Sequence, residues 1–139
     1  MTDGEKPVRG SRERFSAVYD RPQTQADLAV EREVFGANEG ICGYTTVAQA
    51  DALATRLALR PGMRLLDIGA GRGWPGLYLS RISGCQTVLI DLPLPALREG
   101  MQRAHRHRLQ ERPTFLTASG THPPFRAKAF DAIVHTDVL

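Results

Sequence analysis

The segment LLDIGAGRGWPG, residues 65–76, constrains the fold more than any other stretch of the chain. The apolar run at 64–68 has the composition of a short buried strand, and glycines follow at 69, 71 and 73. Glycine has no β-carbon, so the backbone can turn sharply there and a ligand can lie against it. Residues 74–82 then read as a helix, with Pro75 tolerated in the first turn, where its missing N–H is not needed. In an open parallel sheet such a loop lies beyond the carboxyl end of its strand, where ligands bind. The adjoining helix N-terminus favours a carboxylate or phosphate.

The pattern then repeats. Residues 86–90 read as a second strand. A helix follows over 95–110, with Leu97, Met101, Ala104 and Leu109 on its apolar side. Residues 114–117 and 130–135 read as third and fourth strands. Strands alternating with helices imply right-handed crossovers and a parallel sheet. Upstream, Ala26, Ala29, Val30 and Val34 recur near helical spacing within 23–35. A glycine-rich loop, GANEGICGY, covers 36–44. Thr46 and Gln49 then form a capping-box pattern, and Val47, Ala50, Ala54 and Leu57 line one helix face. Pro61 and Gly62 stop that helix. The expected organisation is a flexible segment at 1–22, N-terminal helices at 23–62 and an α/β core at 63–139.

Bulk properties narrow the function. A chain of 139 residues suffices for one domain with a real core. The charge balance of 18 against 15 leaves +3, a weak argument for nucleic acid. The basic run at 103–112 reads as the solvated face of a helix and lacks interleaved aromatics for base stacking. Cys42 and Cys85 have no paired spacing, so neither a disulfide framework nor a zinc site follows, and no metal is expected. The polar N-terminus shows no signal peptide, and no apolar run approaches the ~18 residues of a membrane span. A cytoplasmic protein is expected.

A dinucleotide loop reads G-x-G-x-x-G. Here the pattern is G-x-G-x-G, and Trp74 occupies the place of the third dinucleotide glycine. That departure weakens an NAD(P)-dependent oxidoreductase without excluding it. LLDIGAGRGW instead resembles the first motif of the class I S-adenosylmethionine-dependent methyltransferases. The resemblance implies a Rossmann-like doubly wound sheet and S-adenosyl-L-methionine as cofactor. It places Asp67 with Gly69, Gly71 and Gly73 around the amino-acid end of that cofactor. TVLIDLP puts Asp91, with Leu92 beside it, at the position that accepts hydrogen bonds from the ribose hydroxyls. A carboxylate suits two neighbouring hydroxyls because it only accepts. ASGTHPPF, 118–125, stands where many members carry an acid for the adenine amino group. Here Ser119, followed by Gly120, replaces that acid, and an uncharged acceptor is roughly half as strong.

The FDAIV strand is also typical of the family. The likeness covers 65–139 well and 44–64 less specifically, and within the family it is nearest to small-molecule enzymes related to quinone-biosynthesis methyltransferases. The implied partner is a small-molecule methyl acceptor. His135 ends the fourth strand, near the transferred methyl group. Tyr44, and less so Tyr19, are candidates to close over the sulfonium by cation–π contact. No catalytic base is identified. The family sheet has seven strands and only four are readable here, so an incomplete sheet is expected. Its fourth strand would be an exposed edge, prone to self-association. A non-catalytic, truncated cofactor-binding domain is the alternative to an active enzyme.

Overall fold

The structure, a computed structural model, describes residues 17, 19–41, 43–109 and 111–137. Most of the expected 1–22 segment, and Cys42, lie outside the described residues. Element order is α1 (Gln25–Phe35), α2 (Val47–Arg56), β1 (Arg64–Ile68), α3 (Gly76–Ser83), β2 (Gln86–Asp91), α4 (Leu94–Arg106), β3 (Pro113–Thr117) and β4 (Ala132–His135). The strands form one parallel sheet in the order β3-β2-β1-β4. The chain therefore steps outward from β1 to β3, then returns to the other side of β1. That reversal makes a crevice between β1 and β4, the place where ligands bind in open α/β sheets. In register, Ile68 faces Ile90 and His135, and Asp91 faces Thr117, so the four carboxyl ends meet along one rim.

Side chains alternate across a strand, so Leu65, Asp67, Leu89, Ala132 and Val134 share one face of the sheet. Leu65, Ala132 and Val134 pack with Ala50 of α2 and Leu79 of α3. Leu89 packs with Leu77 of α3 and Ala104 of α4. On the opposite face Leu66 and Ile90 are buried, but Ile133 is 55% exposed. Capping boxes start both N-terminal helices. Thr24 pairs with Asp27 at α1, and Thr46 with Gln49 at α2.

Several local expectations change. The apolar positions Ala26, Ala29, Val30 and Val34 of α1 are exposed, the two valines by 59% and 63%, while Phe35 packs against the core. The buried side chain of α1 is Glu31, whose carboxylate accepts from the backbone N–H groups of Glu39, Gly40 and Ile41. Charge-assisted bonds to three donors orient the helix more strongly than a few small apolar side chains. α3 begins at Gly76, with Pro75 at the N-cap rather than inside the helix. α4 ends at Arg106, and Arg108 just beyond it has φ 56°. Met101 is exposed on α4, and Gly100 and Arg103 are buried instead. The basic run is thus only partly a solvated face. β4 starts at Ala132, because Phe130 turns aside to pack edge-on against Phe125 beneath the Arg64 guanidinium. Among the described residues, no helix is long and apolar enough to cross a membrane, and no cluster suits a metal ion.

Candidate functional site

The glycine loop leaves β1 at the reversal point of the sheet. Gly69, Gly71 and Gly73 have φ of 72°, 53° and 101°, a region that side-chain-bearing residues rarely adopt. A β-carbon on Gly73 would also sit 2.6 Å from Leu77 Cδ1. The N–H groups of Gly69 and Ala70 both donate to the Ile90 carbonyl, at 2.8 and 3.0 Å, which folds the loop over the end of β2.

Asp91 ends β2 and grips the same loop. Its Oδ2 accepts from the Gly71 N–H at 2.7 Å, and its Oδ1 from the Leu92 N–H at 2.7 Å. Burial raises its pKa from the ordinary value, and these two hydrogen bonds oppose the rise. A carboxylate offers about four acceptor positions. Each oxygen therefore has room for one further donor at the rim.

Asp67 lies deeper. Its Oδ2 accepts from the Gly76 N–H at 2.8 Å, tying β1 to the start of α3. That approach needs glycine, since a β-carbon on Gly76 would lie 2.6 Å from Oδ2. Asp67 is fully buried, and desolvation holds its pKa well above the usual carboxylate range. Its Oδ1 has no hydrogen-bond partner. A buried polar atom without a partner costs roughly 1–3 kcal/mol. The site thus contains an acceptor suited to an ammonium group or a water held by one. The glycine backbone, this unpaired oxygen and the Asp91 carboxylate together fit a ligand with an amino-acid end and a diol.

The remaining candidates are placed unequally. The Ala118 N–H donates to the Asp91 carbonyl at 3.1 Å, which brings 118–120 beside Asp91. The Ser119 hydroxyl pairs with the Thr121 hydroxyl at 2.8 Å and accepts from the Thr121 N–H at 3.3 Å. Gly120 closes on the end of β1, where a β-carbon would meet Ile68 Cγ2 at 2.5 Å. His135 is exposed and in register with Ile68. Tyr44 borders this rim through its backbone, but the residue is 89% exposed, so its ring does not cover the site here. The Tyr19 ring lies under the Arg72 guanidinium, 4.8 Å from its centroid. Cys85 is buried, its Sγ 3.7 Å from the Thr87 hydroxyl.

Trp74 shows why no third dinucleotide glycine is present. Its indole is buried, packs on Tyr78 with ring centroids 5.3 Å apart, and donates to the Thr45 carbonyl at 3.0 Å. The side chain is used to anchor the loop that precedes α2.

Sequence reasoning missed the groups that brace this loop from behind. Arg103 of α4 donates from Nη1 to the Arg72 carbonyl at 2.8 Å and from Nη2 to Gln23 Oε1 at 3.3 Å. Burial lowers its pKa and Glu31 opposes that, but an arginine stays charged. Arg72 itself pairs with Glu99 at 2.7 Å. Gly100 allows the contact, since a β-carbon there would sit 3.2 Å from the Arg72 carbonyl oxygen. The only available signal was an arginine on the otherwise apolar side of a helix.

Comparison with known proteins agrees with the family resemblance and with the fold. A ubiquinone/menaquinone biosynthesis C-methyltransferase from Ruegeria sp. (strain TM1040) is 35% identical over 82 residues, 58% of this chain and 33% of that protein. The chain thus spans about a third of the length of that curated relative. A methyltransferase from Geobacter sulfurreducens, solved with S-adenosyl-L-homocysteine, is 28% identical with a TM-score of 0.52, over 56% of this chain and 31% of that one. Geranyl diphosphate C-methyltransferase from Streptomyces coelicolor A3(2) shares the fold over 93% of this chain and 55% of that one, with a TM-score of 0.69 at 19% identity. Residues 65–139, more than half of the sequence, match the methyltransferase-domain family, and the chain belongs to that family.

Proposed function

We propose that this chain binds S-adenosyl-L-methionine and serves transfer of its methyl group to a small molecule. The carrying observation is the Asp91 carboxylate, held at the rim by the Gly71 N–H with acceptor capacity to spare. In this reading Asp91 accepts from the ribose hydroxyls, with Leu92 beside them. Gly69, Gly71 and Gly73 leave room for the amino-acid end, and Asp67 Oδ1 takes its ammonium, directly or through water. Ser119 and Gly120 border the adenine. His135 faces the acceptor side of the crevice, and Tyr44 becomes part of the cover only if its ring turns inward. When bound, the cofactor supplies a methyl group on a positively charged sulfur. The chain's own contribution is to hold the ligand in line with an acceptor and to exclude water. A small-molecule acceptor is supported by the Ruegeria relative, named for quinone biosynthesis, and by a sterol 24-C-methyltransferase from Schizosaccharomyces pombe at 28% identity over 81 residues.

We also propose self-association through the outer edge of β4, which has no partner strand among the described residues.

The test is calorimetric titration with S-adenosylmethionine, S-adenosylhomocysteine and NAD at equal concentrations, with a methyl-transfer assay on a panel of small acceptors. Binding of the first two and not NAD is expected. Binding of NAD alone would move the chain to dinucleotide chemistry. Cofactor binding with no transfer to any acceptor would make it a binding module.

A further inference from the structure

The described residues 39–41 and 43–45 form no part of the sheet or of any helix, yet their backbone is held at both ends. Glu31 Oε1 accepts from the N–H groups of Glu39, Gly40 and Ile41, at 2.6, 2.8 and 3.1 Å. Asp137 Oδ2 accepts from the N–H groups of Tyr44 and Thr45, at 2.9 and 3.1 Å, and from the Thr45 hydroxyl at 3.0 Å. Two carboxylate oxygens from distant parts of the chain thus take five backbone donors of these residues. Charge-assisted bonds of this kind are roughly twice as strong as neutral ones, so residues 39–41 and 44–45 are held in place without secondary structure.

Two glycines make that approach possible. A β-carbon on Gly43 would lie 2.3 Å from Asp137 Oδ2, and one on Gly40 would lie 2.0 Å from Arg103 Nη1. Asp137 itself has φ 57°, a conformation that Asp tolerates better than most residues.

Each held end touches a group that abuts the glycine loop. At Gly40 that group is Arg103, which also binds the Arg72 carbonyl within the loop. At Thr45 it is Trp74, whose indole donates to the Thr45 carbonyl directly after Gly73. Asp137 follows two residues after His135, the register partner of Ile68, and the glycine loop begins at the next residue. A shift of 39–41 and 44–45 therefore reaches the loop from two sides.

We propose that Glu31 and Asp137 are positioning residues, whose carboxylates fix residues 39–41 and 44–45 against the groups that border the cofactor site and hold the glycine loop in its binding geometry. This rests on the cofactor reading above. Neither residue touches the ligand; both act through the backbone of 39–41 and 44–45.

The test uses the full chain, with S-adenosylhomocysteine titrated into the parent, Asp137→Ala, Asp137→Asn, Thr45→Val and Glu31→Gln. Amide hydrogen exchange is followed in the ligand-free proteins. Asp137→Ala should weaken affinity by about fivefold or more, in line with the loss of charge-assisted bonds. Asp137→Asn keeps an acceptor oxygen and should recover part of that loss. Thr45→Val removes one bond and should cost less than Asp137→Ala, and Glu31→Gln should weaken affinity from the other end. Amides of 44 and 45 should exchange faster in Asp137→Ala while those of β1 and β2 stay as in the parent. A parent that binds, with the Asp137 and Glu31 variants within twofold of it despite faster exchange in 39–41 and 44–45, overturns the positioning role and leaves the cofactor reading intact. A parent that does not bind overturns both.

Discussion

Asp91 Oδ2 lies 2.7 Å from the amide nitrogen of Gly71, so the last residue of β2 grips the middle of the loop that leaves β1. The contact joins the two marks by which the sequence resembles its family, the glycine run and the acid after the second strand. It also gives the acid a structural duty besides the proposed ribose contact, because it holds Gly71 at φ 53°.

Replacement of Asp91 should therefore act twice. Asp91→Ala removes two proposed charge-assisted bonds to the ribose, each worth about 1.5–3 kcal/mol before water compensates, and frees the Gly71 N–H. Affinity for S-adenosylhomocysteine should fall at least roughly tenfold, with the far-ultraviolet dichroism unchanged. Asp91→Asn keeps one acceptor for Gly71 and should fall between. An affinity for Asp91→Ala within about twofold of the parent would place the ribose elsewhere.

Gly100 is the point where α4 meets the back of the glycine loop. A β-carbon there would stand 2.8 Å from Phe115 Cε1 and 3.2 Å from the Arg72 carbonyl oxygen. Backbone cannot yield as a flexible side chain can. Gly100→Ala should cost about 1–3 kcal/mol of stability, the usual range for overpacking a close contact, although alanine is the better helix former. Urea unfolding measures this, and an unchanged or raised midpoint would show that α4 can move away from the loop.

The sheet and the rim were legible because their signals are local. Glycines at 69, 71 and 73, the acids at 67 and 91, and short apolar runs need only near neighbours to be read. Ser119 and His135 could be located on the rim by the same logic. The bracing of the site was not legible, since Glu31, Arg103 and Asp137 act across long separations and on bare backbone. No side-chain pattern announces a carboxylate that accepts from N–H groups 8 to 10 residues away. For the same reason the apolar spacing of Ala26, Ala29, Val30 and Val34 marks α1 as a helix but not which side it buries, since periodicity cannot see a buried glutamate that sets the helix's rotation. Tyr44 was chosen for its ring, but here it is its N–H that takes part, through Asp137.

The outer edge of β4 gives a prediction about assembly. Ala132 and Val134 are buried, while Ile133 is 55% exposed beside an edge with no partner strand among the described residues. Association that grows with protein concentration is expected in sedimentation velocity. Ile133→Lys should reduce it, because lysine near a sheet edge discourages strand addition. A parent that stays monomeric at the highest concentration reached would mean the edge is covered in solution.

Asp67 gives the clearest pH test. Burial holds its pKa in the folded protein well above the ordinary 3.8 of the unfolded chain. Between those two values the folded protein carries more bound proton than the unfolded one. Stability from this group is therefore complete below the unfolded value and falls as pH rises through the folded one. Asp67→Asn removes the titration and keeps an oxygen to accept from the Gly76 N–H. The stability difference, parent minus variant, should decline steadily as pH is raised from about 4 upward, and urea unfolding of both at each pH measures it. Asp91 is shifted in the same direction, and its charge is one of the causes that raise the Asp67 pKa, so its part in the difference has the same sign. At a pH between the ordinary and the folded value, a ligand ammonium at the unpaired Oδ1 would favour the ionised carboxylate, so binding there should expel a proton from the parent and not from the variant. Calorimetry in two buffers of different ionisation enthalpy reads that proton directly. A stability difference that does not change with pH, together with no proton release on binding, would mean that Asp67 is already ionised without ligand and that its free oxygen faces water.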